Sequence, residues 1–155
     1  MPADEFRVRP GIAEDLIELA HIEKQVAIDP WSLSQFVSSS LRDNEYSRVL
    51  CSSNGEVLGF AIFQLVLDEA TLMNIAVRPD CQGRGGARLL LQALLDALAE
   101  QAVNRCLLEV RCSNERAIEL YRRFGFVEDG IRKNYYPLAS GREDALLMSR
   151  ELVSK

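Results

Sequence analysis

The sequence predicts an α/β domain in which a mixed sheet is flanked by helices. Three observations predict it. Apolar, strand-like runs alternate along the chain with segments whose leucines recur at helical spacing, as in ARLLLQALLDALAEQA followed closely by CLLEVRC. An Asn54-Gly55 pair between two apolar runs is the strongest hairpin signal present. The length, 155 residues, suffices for one hydrophobic core and leaves a second cramped, so a single domain over 1–155 is expected.

In chain order, Phe6 to Arg9 reads as a short strand. The next segment, AEDLIELAHIEKQV, is predicted helical from residue 13 to 26, with Leu16, Leu19, Ala20 and Glu23 spaced along one face and charges on the other. In DPWSLSQFVSSSLR, Ser32 is placed to cap a second short helix, because its oxygen can accept from a first-turn amide. Three strands follow: YSRVLCS, EVLGFAIFQLVL and ATLMNIAV, joined at Asn54-Gly55 and at the charged pair Asp68-Glu69. After a glycine-rich turn comes the long leucine helix, then the buried strand CLLEVRC and the helix NERAIELYRRFG, closed by Gly125. FVEDGIRKNYYP and EDALLMSREL form a last pair of strands, and no repeat or linker interrupts the order.

Composition excludes several functions. An apolar fraction of 48% and a charged fraction of 26% describe a globular chain, not a disordered or fibrous one. No stretch approaches the roughly 18 uncharged apolar residues of a membrane span, and Met-Pro-Ala-Asp-Glu lacks the basic and apolar regions of a signal peptide, so a cytoplasmic location is expected. A net charge of -5 argues against a nucleic-acid binder and suits a basic partner. The four cysteines, Cys51, Cys81, Cys106 and Cys112, form no C-x-x-C pair, and His21 is the sole histidine, so no metal site is expected. Cys106 and Cys112 read as buried thiols of a reducing compartment, whereas Cys81, in the glycine turn, is expected to be exposed and reactive.

That turn, NIAVRPDCQGRGGAR, leads from a strand into a helix. Glycines there leave unpaired amides at the helix N-terminus, where the macrodipole is positive, and so build an anion site. Gly83, Gly85 and Gly86 let a phosphate touch the backbone, while Arg84 and Arg88 add charge-assisted bonds; a pyrophosphate is the expected anion. The spelling is neither a Walker loop, which needs a lysine followed by serine or threonine, nor G-x-G-x-x-G. Taken alone, it also fits an ordinary glycine-rich turn with no ligand.

Arg78 to Ala87, RPDCQGRGGA, resembles the acetyl-CoA pyrophosphate loop [QR]-x-x-G-x-[GA] of the GNAT superfamily of N-acetyltransferases, with Gln82, Gly85 and Ala87 at the matching positions. Asn114 to Phe126, N-x-x-A-x-x-L-Y-x-x-x-G-F, resembles the second signature of that superfamily. PWS, LDEATLMNIAV, LEVRCSN and RKNYYP followed by GREDALLM are similar to the RimI-type alanine N-acetyltransferases, and this likeness covers nearly the entire chain. It departs at Gly86, where the family often has an apolar residue, and at Gly83, where it often has a basic one. The resemblance implies a mostly antiparallel sheet, acetyl-CoA as co-substrate and no metal. As acceptor it implies the N-terminal alanine of small-subunit ribosomal protein number eighteen, offered on a basic N-terminal arm.

Acetyl transfer to an amine needs a neutral nucleophile, a polarised thioester carbonyl and a proton for the departing thiolate. Glu109, a carboxylate inside an apolar strand, is the candidate base, and the family match supports it; an ion pair with Arg111 or another basic side chain is the structural alternative. The resemblance makes Tyr121 the acid, against ordinary core packing beside Leu120 and Phe124. It further implies that backbone amides of Ile75, Ala76 and Val77 polarise the carbonyl where their strand parts from its neighbour, and that Gln82 to Arg88 hold the cofactor. Asn114 is either a cofactor contact or a helix cap. For the acceptor, Tyr135 and Tyr136 offer one aromatic wall and Trp31, with Ser32, the other, while Glu143 and Asp144 are placed to attract a basic arm or are simply solvated. The same cofactor motifs would serve a small-molecule amine acceptor such as a polyamine, or a CoA-binding module that catalyses nothing.

Overall fold

The computed structural model describes residues 5–152; Met1 to Asp4, the head of the segment read as lacking a signal peptide, and 153–155 lie outside the described residues. The strands are β1 (Arg7–Pro10), β2 (Glu45–Cys51), β3 (Val57–Val66), β4 (Glu69–Val77), β5 (Arg105–Arg111), β6 (Val127–Leu138) and β7 (Gly141–Glu151). They form one sheet in the order β1-β2-β3-β4-β5-β7-β6. Among the described residues only β4 and β5 run parallel; every other neighbouring pair is antiparallel. This is the mixed, mostly antiparallel sheet expected.

The helices are α1 (Leu16–Val26), α2 (Leu33–Ser40), α3 (Gly86–Ala99) and α4 (Glu115–Arg123), and they cover both faces. On one face, Leu90, Leu91, Leu94 and Leu98 of α3 and Ile118 and Tyr121 of α4 pack with Leu50, Phe63, Leu72, Leu108 and Met148 of the sheet. On the other, Leu19 and Ile22 of α1 and Phe36 of α2 pack on Val49, Phe60, Ile62 and Ala76. Each such side chain taken from water stabilises the fold by about 1.5–3 kcal/mol, so the two apolar layers hold the sheet as a platform.

Three boundaries differ from the sequence expectation for local reasons. The first helix starts at Leu16, not residue 13, because Asp15 turns back to bind Arg9 and the amide of Ile12, holding Ala13–Asp15 as a 3-10 turn. The β3–β4 turn is Leu67-Asp68, with Leu67 at φ 57 and fully exposed, because Asn104 ties the Asp68 carbonyl and carboxylate and leaves Glu69 to the strand. The leucine helix stops at Ala99, and Ala102, which the helical pattern included, has φ 54. Ser32 caps α2 as expected, accepting from the Gln35 amide, and Gln35 returns a bond to the Ser32 amide.

Candidate active site

A gap opens in the centre of the sheet. β4 and β5 pair from Glu69 with Arg105 to Leu72 with Leu108 and no further. The break coincides with a bulge: Ile62 of β3 faces Asn74 while Phe63 faces Leu72, which leaves Met73 as an extra residue in β4. Beyond it β4 stays with β3 as far as Val77, and β5 stays with β7 as far as Arg111, so the two strands part like a fork. Main-chain direction alternates along a strand. Because the Arg78 amide donates to Leu58, Ala76 also turns toward β3, and Ile75 and Val77 turn their polar groups into the gap. The Val77 carbonyl there accepts from Nε2 of Gln82 at 3.0 Å. Of the three amides proposed from the sequence, Ala76 is therefore spent on the ladder.

A cleft of about 1340 Å³ runs through the fork. One end is the glycine turn. Gly83 and Gly85 have φ of 81 and 88, a left-handed backbone that other residues adopt at a cost. No backbone hydrogen bond is donated by the amides of residues 83 to 88 among the described residues, and Gly85 hands directly into α3. Gln82, Gly83, Gly85, Gly86, Ala87 and Arg88 all line the cleft, so free amides and the positive end of a helix face it together. Gly86 lines the cleft and also packs closely beneath it: a Cβ there would lie 2.6 Å from Cδ2 of Leu50, so a side chain would have to displace that leucine.

Two expectations for this turn are corrected. Arg84 points away from the cleft into a small pocket beside Cys81, with its guanidinium 5.6 Å from the ring centre of Phe6. Arg116 of α4 lines the cleft beside Gly83 instead, and nothing local in the sequence joins it to the turn. Cys81 is buried, not exposed, and burial raises its thiol pKa, because the 3-10 turn Pro79–Cys81 folds it under the loop. Cys106 is buried and pushed up to about 12, and Cys112 is half-buried.

At the fork, Glu109 and Tyr121 approach from opposite faces. Cys106, Leu108 and Val110 belong to the α3–α4 layer, so period two turns Glu109 toward the α1–α2 face. Its carboxylate lines the cleft and pairs with Arg132 of β6 at 3.2 Å, while Arg111, the other partner considered, pairs with Glu143 at 3.1 Å. Tyr121 lines the cleft from α4, is only 4% exposed and packs on Phe126; burial raises its phenol pKa far above the ordinary value, so it stays protonated. Asn114 caps α4 by accepting from the Ala117 amide, and the same residue lines the cleft.

The α1–α2 face carries the aromatic residues. Between Arg132 and Tyr136 the β6–β7 register slips, with Asn134 at φ 54. Arg142 donates to the carbonyls of Asn134 and Tyr135, and Asp144 accepts from the Asn134 amide, which pins the bulge. The bulge brings Tyr136 into the cleft with Arg111 over its ring at 4.6 Å, and burial pushes its phenol up to about 12. Tyr135 stands behind it, under Arg132, its phenol pKa raised first by hydrogen bonding to Glu109. Glu143 is thus engaged within the fold: its charge is paired with Arg111, it also accepts from the Ser113 amide, and Ser113 and Arg111 hold its carboxyl below the ordinary range, while Asp144 accepts only the neutral Asn134 amide.

Trp31 forms the opposite wall, its ring against Phe36 and its amide donating to Glu23 at 3.0 Å. Glu23, which its spacing places on the apolar face of α1, is 4% exposed; a carboxylate there needs a buried partner, and the Trp31 amide is one. Among the described residues no cluster of three metal-binding side chains occurs, and no helix is long and apolar enough to cross a membrane.

With this geometry in view, the chain matches known proteins. The model of the acetyltransferase (GNAT) family matches residues 13–126. The [ribosomal protein bS18]-alanine N-acetyltransferase of Escherichia coli K12 is 47% identical over 135 residues, covering 87% of this chain and 90% of that protein. The Haemophilus influenzae protein of the same name is 45% identical over 139 residues, covering 87% and 91%. A crystal structure of the Escherichia coli ribosomal-protein-S18-alanine N-acetyltransferase superposes with a TM-score of 0.90 at 43% identity, over 97% of this chain and 96% of that one.

Proposed function

The chain belongs to the acetyltransferase (GNAT) family, and from that membership we propose that it acetylates the N-terminal alanine of bS18, a basic ribosomal protein, by direct transfer from acetyl-CoA. One observation carries the reading: the β4–β5 fork sets a carboxylate on one face and a protonated, buried phenol on the other. The residues present fit the co-substrate. The free amides of 83 to 88, with Arg88 and Arg116, suit its diphosphate, and the in-turned polar groups of Ile75 and Val77 suit its amide-bearing arm. Acetyl-CoA supplies an activated acyl group there.

The chain's own residues supply the rest. A peptide α-amine, with a pKa of about 7.7–8.0, is partly protonated at neutral pH, and Glu109 takes its proton directly or through water. The amide of Ile75 or Val77 donates to the acyl oxygen as negative charge grows on it. The neutral amine nitrogen bonds to the carbonyl carbon, the C–S bond breaks as Tyr121 gives its proton to the departing sulfur, and the proton left on nitrogen passes through water to restore the phenol. No cysteine lies in the role of a nucleophile, since Cys81 is folded under the loop and Cys112 has no activating histidine beside it in sequence. On the α1–α2 face Trp31 and Tyr136 enclose the alanine, and the net charge of -5 favours a basic arm over the surface as a whole.

Mass spectrometry of an alanine-headed basic peptide incubated with acetyl-CoA tests this directly. The acetyl group is expected on the α-amine. Label on lysine side chains, or a strong preference for polyamines over the peptide in kcat/KM, overturns the acceptor assignment.

A further inference from the structure

A basic arm suits the net charge of the chain, but inside the cleft most carboxylates are already engaged. Among the described residues four line it: Glu23, Asp29, Glu109 and Glu119. Glu23 accepts from the Trp31 amide, Glu109 pairs with Arg132, and Glu119 pairs with Arg123 at 3.3 Å. Asp29 is exposed and makes no ion pair or hydrogen bond among the described residues.

The turn that carries it is held at both ends. Asp29 lies between α1 and α2, where the Glu23 carbonyl accepts from the Ala27 amide at 2.9 Å and the Glu23 carboxylate accepts from the Trp31 amide at 3.0 Å. Pro30, with its fixed φ, is the sole residue between Asp29 and Trp31. Val26 and Ala27, where α1 ends, line the cleft as well. The carbonyls of Lys24, Gln25 and Val26 accept no hydrogen bond among the described residues, so the negative end of the α1 macrodipole opens on the cleft beside Asp29. A carboxylate near the negative end of a helix disfavours the fold, and Lys24, in the last turn of α1, makes no ion pair with this one. A cation brought by a ligand would satisfy both the carboxylate and the free carbonyls.

Resting on the proposed acceptor, we infer that Asp29 reads a basic side chain at the second residue of the peptide. Trp31 encloses the alanine, and Asp29 stands two positions before it, so the side chain that follows the alanine is the first to come within reach of the carboxylate. The cleft then uses helix ends of opposite sign: the positive end of α3 for the diphosphate, and the negative end of α1 with Asp29 for the arm. An ion pair in that place touches none of the reacting atoms. It sets which peptide is held and leaves the transfer step alone.

The test uses three alanine-headed peptides that differ in one placement: arginine at the second residue, glutamine at the second residue, and glutamine there with the arginine moved to the sixth. In the parent, KM for the arginine-second peptide is expected about two- to fivefold below that for the glutamine-second peptide, the range of an exposed ion pair. In Asp29→Asn the two values converge, and in Asp29→Lys their order inverts, while kcat and the Kd for acetyl-CoA stay within about twofold. Raising the salt from about 50 mM to about 500 mM should erase the advantage in the parent and leave Asp29→Asn as it was. The Tm of Asp29→Asn is expected at or above that of the parent, because an anion has left the negative end of α1. With arginine at the sixth residue, parent and Asp29→Asn should agree. A parent without an arginine preference, an undiminished preference in Asp29→Asn, or an equal loss with arginine at the sixth residue overturns the role of Asp29 while the acceptor assignment stands; a parent that acetylates none of the three peptides overturns both.

Discussion

The two sides of the fork are built from different materials. The donor side, from Val77 through the start of α3, offers main-chain groups: free amides, in-turned strand polar groups and glycines that give access to them. The acceptor side is made of side chains held by other side chains: Glu109 by Arg132, Arg111 by Glu143, and Tyr136 under Arg111, with the Trp31 amide held by Glu23. Main-chain recognition is indifferent to most side chains and intolerant of lost glycines. Side-chain recognition is the reverse, and it is where one acceptor can be told from another.

The largest effect is expected where the two sides meet. Glu109→Gln keeps size and removes the base, and should lower kcat by about 10²–10⁴ with acetyl-CoA affinity unchanged. Tyr121→Phe should lower it over the same range. Because burial holds that phenol protonated far above neutrality, the Tyr121→Phe loss should be uniform between pH 7 and 9. Stopped-time product assays with a fluorescence measurement of acetyl-CoA binding check both. A Glu109→Gln enzyme at full rate would show the carboxylate to be merely the partner of Arg132.

On the donor side, Gly86→Ala adds one methyl 2.6 Å from Cδ2 of Leu50, itself fully buried. Overpacking of that kind costs about 1–3 kcal/mol. The Tm should fall, and the Kd for acetyl-CoA should rise while KM for the peptide holds. Adding Leu50→Val frees space beneath the turn and should recover part of the acetyl-CoA affinity, which calorimetric titration of the single and double variants would show. Recovery isolates crowding as the cause; its absence would place Gly86 in direct contact with the ligand.

A smaller effect, confined to the acceptor side, is expected from Glu143→Gln. Loss of the carboxylate releases Arg111 from its pair and weakens the hold on Ser113, so KM for the peptide should rise about fivefold with kcat little changed. The carboxyl is held below the ordinary glutamate value of 4.5, so its stabilising contribution is complete above that pH and is lost as pH falls through the folded value. The Tm gap between parent and variant should therefore be full above about pH 5 and shrink as pH falls through the folded value. A gap that does not change on acidification would mean the effect is packing and not charge.

The same division explains what could be read before the structure. The glycine turn, the cap at Ser32, the stop at Gly125 and the strand-helix order are set by neighbours within a few residues, and all stand where the spelling put them. The acceptor side depends on contacts between distant segments. Arg132 is 23 positions from Glu109 and Glu143 is 32 from Arg111, and no local pattern pairs them. Arg84 and Arg116 show the limit most plainly: the arginine inside the motif turns away to Phe6, and one 32 residues later takes the cleft. Glu23 is legible in the sequence only as a carboxylate at an apolar spacing, without its partner.

The smallest effect tests whether the donor side is as rigid as main-chain recognition requires. Cys81 sits two residues before Gly83, 5% exposed, with its thiol pKa raised first by burial and then by Asp80. The thiolate is the reactive species, so little of it should exist near neutral pH, and less than in the unfolded chain. With iodoacetamide at pH 7.5, Cys112, half-buried, should label first, Cys81 well after it, and Cys106, the most strongly shifted of the three, last. Raising the pH should speed Cys81, and saturating acetyl-CoA should change its rate little, because the thiol lies on the side of the turn away from the cleft, in the pocket of Arg84 and Phe6. Labelling as fast as in urea would mean that the turn opens in the free enzyme. The amides it presents would then be ordered only by the ligand, and the preformed donor side contrasted here with the acceptor side would not exist.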